Sequence, residues 1–404
     1  MKLLFDATEL SYFLEKSGHR AGVFFVALNL FRELKKRGVE LSFTCNFKRY
    51  YFMKQVMQEV EEFRQIPLLE ENSLINKAFA KLYFVLRNAP LKIQYGVLSI
   101  ARLYENLFYI QNKNNKKQLD DFDIFFSPFT PASAEIMNAK HIKRFMMLHD
   151  IIPILENGNK IPTNRRLWCY RLYNTINKND YYVTNSECTR ADILKYFNLN
   201  PENVVTTLLG ADEKFKPIEK TDNRKYVFSL CTLGKRKNLI FAIKNFYEFI
   251  HKNNINDLYL VLGGGIWKKF EKELEKQLGQ VDKSKIILTG YVKDEDLPAL
   301  YSNALMFICP SLYEGFGLPV LEAMQCGCPV ITSNVSSLPE VIGEAGIKIN
   351  PESDEEMINA YKKMYSDTFF RELCRERGLI RAQKFSWEKC ADEILEFIKA
   401  KSCL

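Results

Sequence analysis

Glu314 and Glu322 stand with seven residues between them in the run Pro310-Ser311-Leu312-Tyr313-Glu314-Gly315-Phe316-Gly317-Leu318-Pro319-Val320-Leu321-Glu322-Ala323-Met324. An apolar stretch, Leu305–Cys309, precedes it and reads as a strand; Pro319 suits the first turn of a following helix. A strand, a glycine loop and a helix start leave the amides of Phe316, Gly317 and Leu318 at the positive end of a helix dipole, where an anion can sit. Glu322 is expected in the first turn of that helix, beside the anion, as an acceptor for ribose hydroxyls. Glu314, in the loop, can accept from a second polyol. Phosphate on amides between two hydroxyl-binding carboxylates describes a nucleotide-sugar site. A bare two-glycine loop can also be no more than a tight turn; the paired glutamates favour the site.

Other residues fit the same chemistry. Arg236 and Lys237 follow an expected strand at Tyr226–Leu230, where cations can face a cleft and neutralise phosphate oxygens. Alone, they also read as a solvated basic turn. His149, one of four histidines, ends the expected strand Phe145–Leu148 and is followed by Asp150, which can bind a sugar hydroxyl or orient the imidazole. Gly22 opens a helix and permits close approach of backbone.

Several of these pieces together resemble glycosyltransferase family 4. They are Glu314 and Glu322 with Ala323-Met324, Gly327, Pro329-Val330-Ile331, Leu338-Pro339-Glu340 and Gly346, then Cys231-Thr232-Leu233-Gly234-Lys235-Arg236-Lys237-Asn238, Gly263-Gly264-Gly265 and Gly290-Tyr291-Val292. In the first half they are Asp6 with Ser17-Gly18-His19-Arg20-Ala21-Gly22-Val23, Leu148-His149-Asp150-Ile151-Ile152-Pro153, Thr184-Asn185-Ser186-Glu187 and Leu209-Gly210-Ala211-Asp212. The resemblance implies a retaining, metal-independent enzyme of the GT-B fold that needs no cofactor. It implies Arg236 and Lys237 on the donor diphosphate, Val292 in a loop whose backbone contacts the base, and Glu322 on ribose. Glu314 and His149 would flank the transferred sugar as catalytic residues, with Gly22 and Asp150 in the sugar and acceptor loops. The retaining route it implies is same-face attack assisted by the leaving phosphate. Two departures stand out: Cys231 where some relatives have Arg, and Phe24-Phe25 where relatives often have Gly-Arg.

These groups need a scaffold that brings strand ends to one cleft. The chain alternates short apolar strands with amphipathic helices, the pattern of doubly wound parallel sheets. Strands are expected at Lys2–Phe5, Leu41–Cys45, Ile124–Phe126, Phe145–Leu148 and Tyr181–Val183, then at Tyr226–Leu230, Leu258–Leu262, Lys285–Leu288, Leu305–Cys309 and Val330–Thr332. A polar stretch at 216–225 separates the two series. The expected architecture is therefore α/β, GT-B: two Rossmann-like domains facing a cleft, 1–216 for acceptor and 217–385 for nucleotide sugar. A helix over 386–404, with Ser386 as its N-cap, would return to the first domain.

The length of 404 residues and 47% apolar content support two cores and exclude a disordered chain. The net charge of +8 permits an anionic partner without choosing one. Ten scattered cysteines, with no C-x-x-C, point away from zinc or disulfides and fit a reducing compartment. With no 18-residue apolar run, and Asp6 too early for a secretory signal, the expectation is a cytoplasmic protein. Asp121-x-Asp123 and Asp294-x-Asp296 have metal-binding spacing but read as loop and capping acids. Residues 77–117 hold eight basic residues against Glu105, interleaved with seven aromatics. Two readings stand for them: a peripheral contact with an anionic membrane, or helices with solvated basic faces. Nucleic acid is not expected, because no binding module accompanies the charge.

Leu148-His149-Asp150-Ile151-Ile152-Pro153 together with Thr232-Leu233-Gly234-Lys235-Arg236-Lys237-Asn238 looks most like the mannosyl/rhamnosyl-type branch of surface-polysaccharide enzymes. The function this resemblance implies is hexose transfer, with GDP-mannose favoured as donor, to a glycan or lipid-linked acceptor in polysaccharide biosynthesis. A nucleotide-sugar epimerase of the same fold, or a silent nucleotide-sugar-binding scaffold, are the alternatives.

Overall fold

The computed structural model describes residues 2–15, 22–70, 74–90, 93, 96, 116–163, 168–219, 224–230, 234–264, 267–279 and 282–402. Several residues singled out above therefore lie outside the described residues. They are Ser17–Ala21, Cys231–Leu233, Gly265, part of the 216–225 stretch and most of 91–115.

Two six-stranded sheets, every pairing parallel, form the framework. The first contains β1 (Lys2–Asp6), β2 (Glu40–Thr44), β3 (Ile124–Ser127), β4 (Lys143–Leu148), β5 (Tyr181–Thr184) and β6 (Val204–Thr206), in the order β2-β1-β3-β4-β5-β6. The second contains β7 (Lys225–Leu230), β8 (Leu258–Gly263), β9 (Ile286–Gly290), β10 (Met306–Cys309), β11 (Val330–Ser333) and β12 (Ile347–Ile349), in the order β12-β11-β10-β7-β8-β9. Parallel strands are covered on both faces, which is why Leu3-Leu4-Phe5 and Met306-Phe307-Ile308 are apolar without alternation and wholly buried. β6 and β12, absent from the strands expected above, are three-residue edge strands, too short to show a period.

Strand order reverses between β1 and β3 in one sheet and between β7 and β10 in the other. Loops leaving the carboxyl ends of such neighbours diverge and open a crevice, the usual ligand position in open α/β sheets.

The helices that bear on the site are α1 (Gly22–Lys36), α2 (Glu187–Phe197), α3 (Leu297–Asn303), α4 (Leu318–Gln325), α5 (Leu338–Ile342) and α6 (Trp387–Ser402). α1 buries Phe24, Ala27, Leu28, Phe31 and Leu34 at helical spacing, and Gly38 (φ 68°) ends the run. α6 starts where Ser386 Oγ accepts from the Lys389 amide (3.1 Å). It lies on the first domain: Phe397 meets Phe145 and Tyr181 edge-on, and Arg37 pairs with Asp392. Among the described residues no helix is long and apolar enough to cross a membrane.

Candidate active site

The β7 and β10 loops meet at the second sheet's switch point, and a ladder of contacts ties them. Arg236 O accepts from the Leu312 amide (2.8 Å), and Arg236 NH1 donates to Tyr313 O (2.6 Å). The Glu314 carboxylate then takes both cations, Lys237 Nζ on Oε1 at 2.6 Å and Arg236 NH1 on Oε2 at 2.8 Å. All three side chains are largely buried. Burial alone would raise Glu314, but Lys237 and Arg236 outweigh it and hold the carboxyl below its ordinary value. Glu314 is thus a clamp on the two cations, a role its place in the motif did not reveal.

The serines after β11 fix the same loop. Ser336 Oγ accepts from the Glu314 amide (3.0 Å), and Ser337 Oγ lies 2.8 Å from both Glu314 O and Phe316 O. Sequence reasoning missed them; their signal is position, at the carboxyl end of the strand beside β10. Gly317 (φ 111°) turns the chain into α4, a conformation that excludes a side chain at low cost. The Phe316 ring is buried against Phe385. Among the described residues nothing accepts from the amides of Phe316, Gly317 and Leu318.

Glu322 is the fifth residue of α4, just past the first turn where it was expected, because the helix already begins at Leu318. It reaches the fully buried Tyr301 of α3, whose hydroxyl donates to Oε2 at 2.9 Å. Burial pushes Glu322 up to about 7; Tyr301 and Lys214 oppose the shift, Asp294 and Asp212 add to it. Tyr301 and Lys214 carry no motif and were not anticipated. Val292 lies close to Gly263, where an added Cβ would stand 3.1 Å from Val292 Cγ2, so the β8 and β9 loops are in contact. Asp296 occupies the N-cap position of α3, and the Asp123 carbonyl accepts from the Lys143 amide.

The first domain brings its candidates to this loop. A Cβ on Gly315 would stand 2.1 Å from His149 O and 2.9 Å from Asp150 Cβ, so only glycine lets the strands' ends touch. His149 Nε2 lies 2.7 Å from Pro128 O. Since a carbonyl only accepts, Nε2 carries the proton and Nδ1 is the acceptor. Burial lowers the His149 pKa, so the ring is neutral. Among the described residues no bond joins Asp150 to His149; the Asp150 Oδ1 accepts from the Ile152 amide (2.9 Å) and closes a turn. Burial raises the Asp150 carboxyl despite Ile152 and Arg236, and Glu314 adds to the rise. Gly22, at the start of α1, faces Leu318 at the start of α4, with 3.7 Å between an added Cβ and Leu318 Cδ1. Gly22, His149, Asp150, Arg236, Lys237, Glu314 and Leu318 therefore converge on one interdomain cleft, with Glu322 and Val292 along the second domain's wall.

Residues 210–381 match the family of glycosyl transferases group 1. The chain is 34% identical over 242 residues to the Escherichia coli O-antigen chain mannosyltransferase B, covering 56% of this chain and 62% of that protein. It is 30% identical over 274 residues to the E. coli serotype-specific mannosyltransferase WbdA, covering 63% of this chain and 33% of that protein. The chain thus spans less than two thirds of either relative. Anabaena HepE in complex with UDP and glucose superposes with a TM-score of 0.67 at 16% identity, over 99% of this chain and all of that one. The fold is GT-B.

Proposed function

We propose that this chain, which carries a glycosyl transferases group 1 domain over residues 210–381, transfers a hexose from a nucleoside diphosphate sugar to an acceptor hydroxyl. The observation that carries the reading is the Arg236–Glu314–Lys237 cluster beside the three amides at the start of α4. Two cations against one carboxylate leave a surplus positive charge, and the helix end adds about half a charge more. That surplus suits a diphosphate. As the sugar–oxygen bond breaks, charge grows on the leaving diphosphate, and fixed cations and amides stabilise it without reorganising. Glu322 takes ribose hydroxyls on the oxygen that Tyr301 does not hold. His149 offers Nδ1 as a neutral acceptor on the sugar's other side. Retention of configuration by same-face attack, with no protein nucleophile, fits a site in which the Glu314 carboxylate is already bound to two cations. Arg236 and Lys237 take the charge-neutralising part that a divalent metal plays elsewhere, so the reaction is metal-independent.

Mannose is the favoured sugar and GDP-mannose the favoured donor, because both E. coli relatives are named mannosyltransferases. The acceptor is a glycan or lipid-linked saccharide. The helix Leu74–Val85, which runs into the 77–117 segment, supports a peripheral membrane contact on the cytoplasmic side: it exposes Leu74 (82%) and Val85 (64%) beside Lys77 and Lys81.

The test is a screen of GDP-, UDP- and dTDP-sugars with saccharide acceptors, with and without EDTA. Transfer from GDP-mannose, unchanged by EDTA, is expected. Isomerisation of the donor, binding without turnover, or loss of transfer in EDTA overturns the reading.

A further inference from the structure

The two domains do not merely face each other across the cleft; five side chains fasten them beside Glu314. The Glu340 carboxylate at the start of α5 accepts from the amides of Glu187 (2.8 Å) and Cys188 (2.8 Å), the first two residues of α2 in the other domain. Tyr313 Oη donates to Asp192 Oδ2 on α2 at 2.7 Å. Ser186 Oγ donates to Gly315 O at 2.8 Å, and Thr189 Oγ1 lies 3.1 Å from the same oxygen. Ser186 and Thr189 are fully buried. Every one of these bonds crosses the domain boundary, and three end on Tyr313 or Gly315, the two neighbours of Glu314.

A carboxylate on two terminal amides satisfies helix donors that otherwise lack partners and meets the positive end of the dipole. It is a strong contact that exists only with the domains together. We propose that Glu340, Asp192 and Ser186 form an interdomain clasp that makes them positioning residues for Glu314. Domain closure, through the clasp, fixes the loop that holds Arg236 and Lys237 in place against His149 and Asp150 of the first domain. The clasp gives a task to Ser186-Glu187 and Leu338-Pro339-Glu340, motif residues that touch no expected substrate atom. It rests on the transferase reading for its kinetic consequence, not for its geometry.

The test uses the full chain with Glu340→Ala, Glu340→Gln, Asp192→Ala and Asp192→Asn. Closure also excludes water, so a loosened clasp leaks donor to hydrolysis. Glu340→Ala is expected to lower kcat for transfer about 10-fold or more, leave the donor KM within about 3-fold, and raise the fraction of donor hydrolysed; a misplacement far from the chemistry has effects of this order. Asp192→Asn, which still accepts from Tyr313, should recover most of the kcat that Asp192→Ala loses. Small-angle scattering with the nucleotide diphosphate bound should show a larger radius of gyration for Glu340→Ala than for the parent. Unchanged kcat and hydrolysis in Glu340→Ala, or equal losses in Asp192→Asn and Asp192→Ala, overturn the positioning role. Unchanged scattering overturns the clasp itself. If the parent chain transfers no sugar, the transferase reading fails while scattering still decides the clasp.

Discussion

Glu322 carries the sharpest pH prediction, because burial places its titration at about 7. The ionised form is the better acceptor for ribose hydroxyls, and a nucleoside diphosphate sugar has no group of its own titrating near neutrality. The expected kcat/KM for donor therefore rises with pH along a limb centred near 7, the free enzyme's value. Glu322→Gln should abolish that limb. Tyr301 donates to the carboxylate and stabilises its charged form, so Tyr301→Phe should move the limb to higher pH. A limb that stays in Glu322→Gln sinks the assignment. For stability the sign is opposite. A carboxyl raised on folding contributes most below its unfolded value, and that contribution is lost as pH rises through about 7. At this scale the sequence revealed residue types but not partners. Glu314 and Glu322 were legible as a pair, whereas the clamp on Arg236 and Lys237 and the bond to Tyr301 join residues far apart in the chain, a matter of three-dimensional placement.

Elements were legible wherever an apolar run was long enough to bury both strand faces, as in β1, β8 and β10. Edge strands β6 and β12 were not, since three residues carry no pattern. The start of α4 falls one residue too early for the expected place of Glu322: Gly317 at φ 111° turns the chain so that the helix begins at Leu318, before Pro319, and Glu322 lies just past the first turn. Helix Leu74–Val85 shows what an element can add to composition. Leu74, Lys77, Lys81 and Val85 follow i, i+3, i+7 and i+11, one face of a helix, and Leu74 and Val85 are mostly exposed on it. Apolar tips beside lysines match an anionic bilayer surface. Co-sedimentation with vesicles of phosphatidylglycerol and phosphatidylcholine should capture the chain, and pure phosphatidylcholine should not. Each lysine near such a surface is worth about 1 kcal/mol, so Lys77→Gln with Lys81→Gln should weaken binding roughly 30-fold. Equal binding to both vesicle types, or no effect of the double substitution, sinks the membrane reading.

At the scale of the molecule, the chain passes between domains twice, and the two passages touch. Leu209-Gly210 leaves the first domain where Trp387 begins α6 on its way back; a Cβ on Gly210 would stand 2.5 Å from the Trp387 amide nitrogen and 2.9 Å from the Ser386 carbonyl carbon. Thr207 and Cys390 meet just beside them at 3.1 Å. One continuous cluster of buried side chains runs through this point, from Phe5 and Phe31 of the first domain through Ile394 of α6 to Phe228 and Phe307 of the second. The crossing is therefore a packed pivot rather than a loose tether, and the clasp at Glu340 closes the cleft that the pivot leaves to open. A methyl group at position 210 has backbone, not a flexible side-chain tip, to displace, so Gly210→Ala must shift one passage against the other. Overpacking of this kind costs roughly 1–3 kcal/mol. Urea unfolding should show that loss, and kcat for transfer should fall too, because the shift re-aims one domain's half of the site against the other's. Wild-type stability together with wild-type kcat in Gly210→Ala would show that the two passages move independently, and the pivot would be wrong.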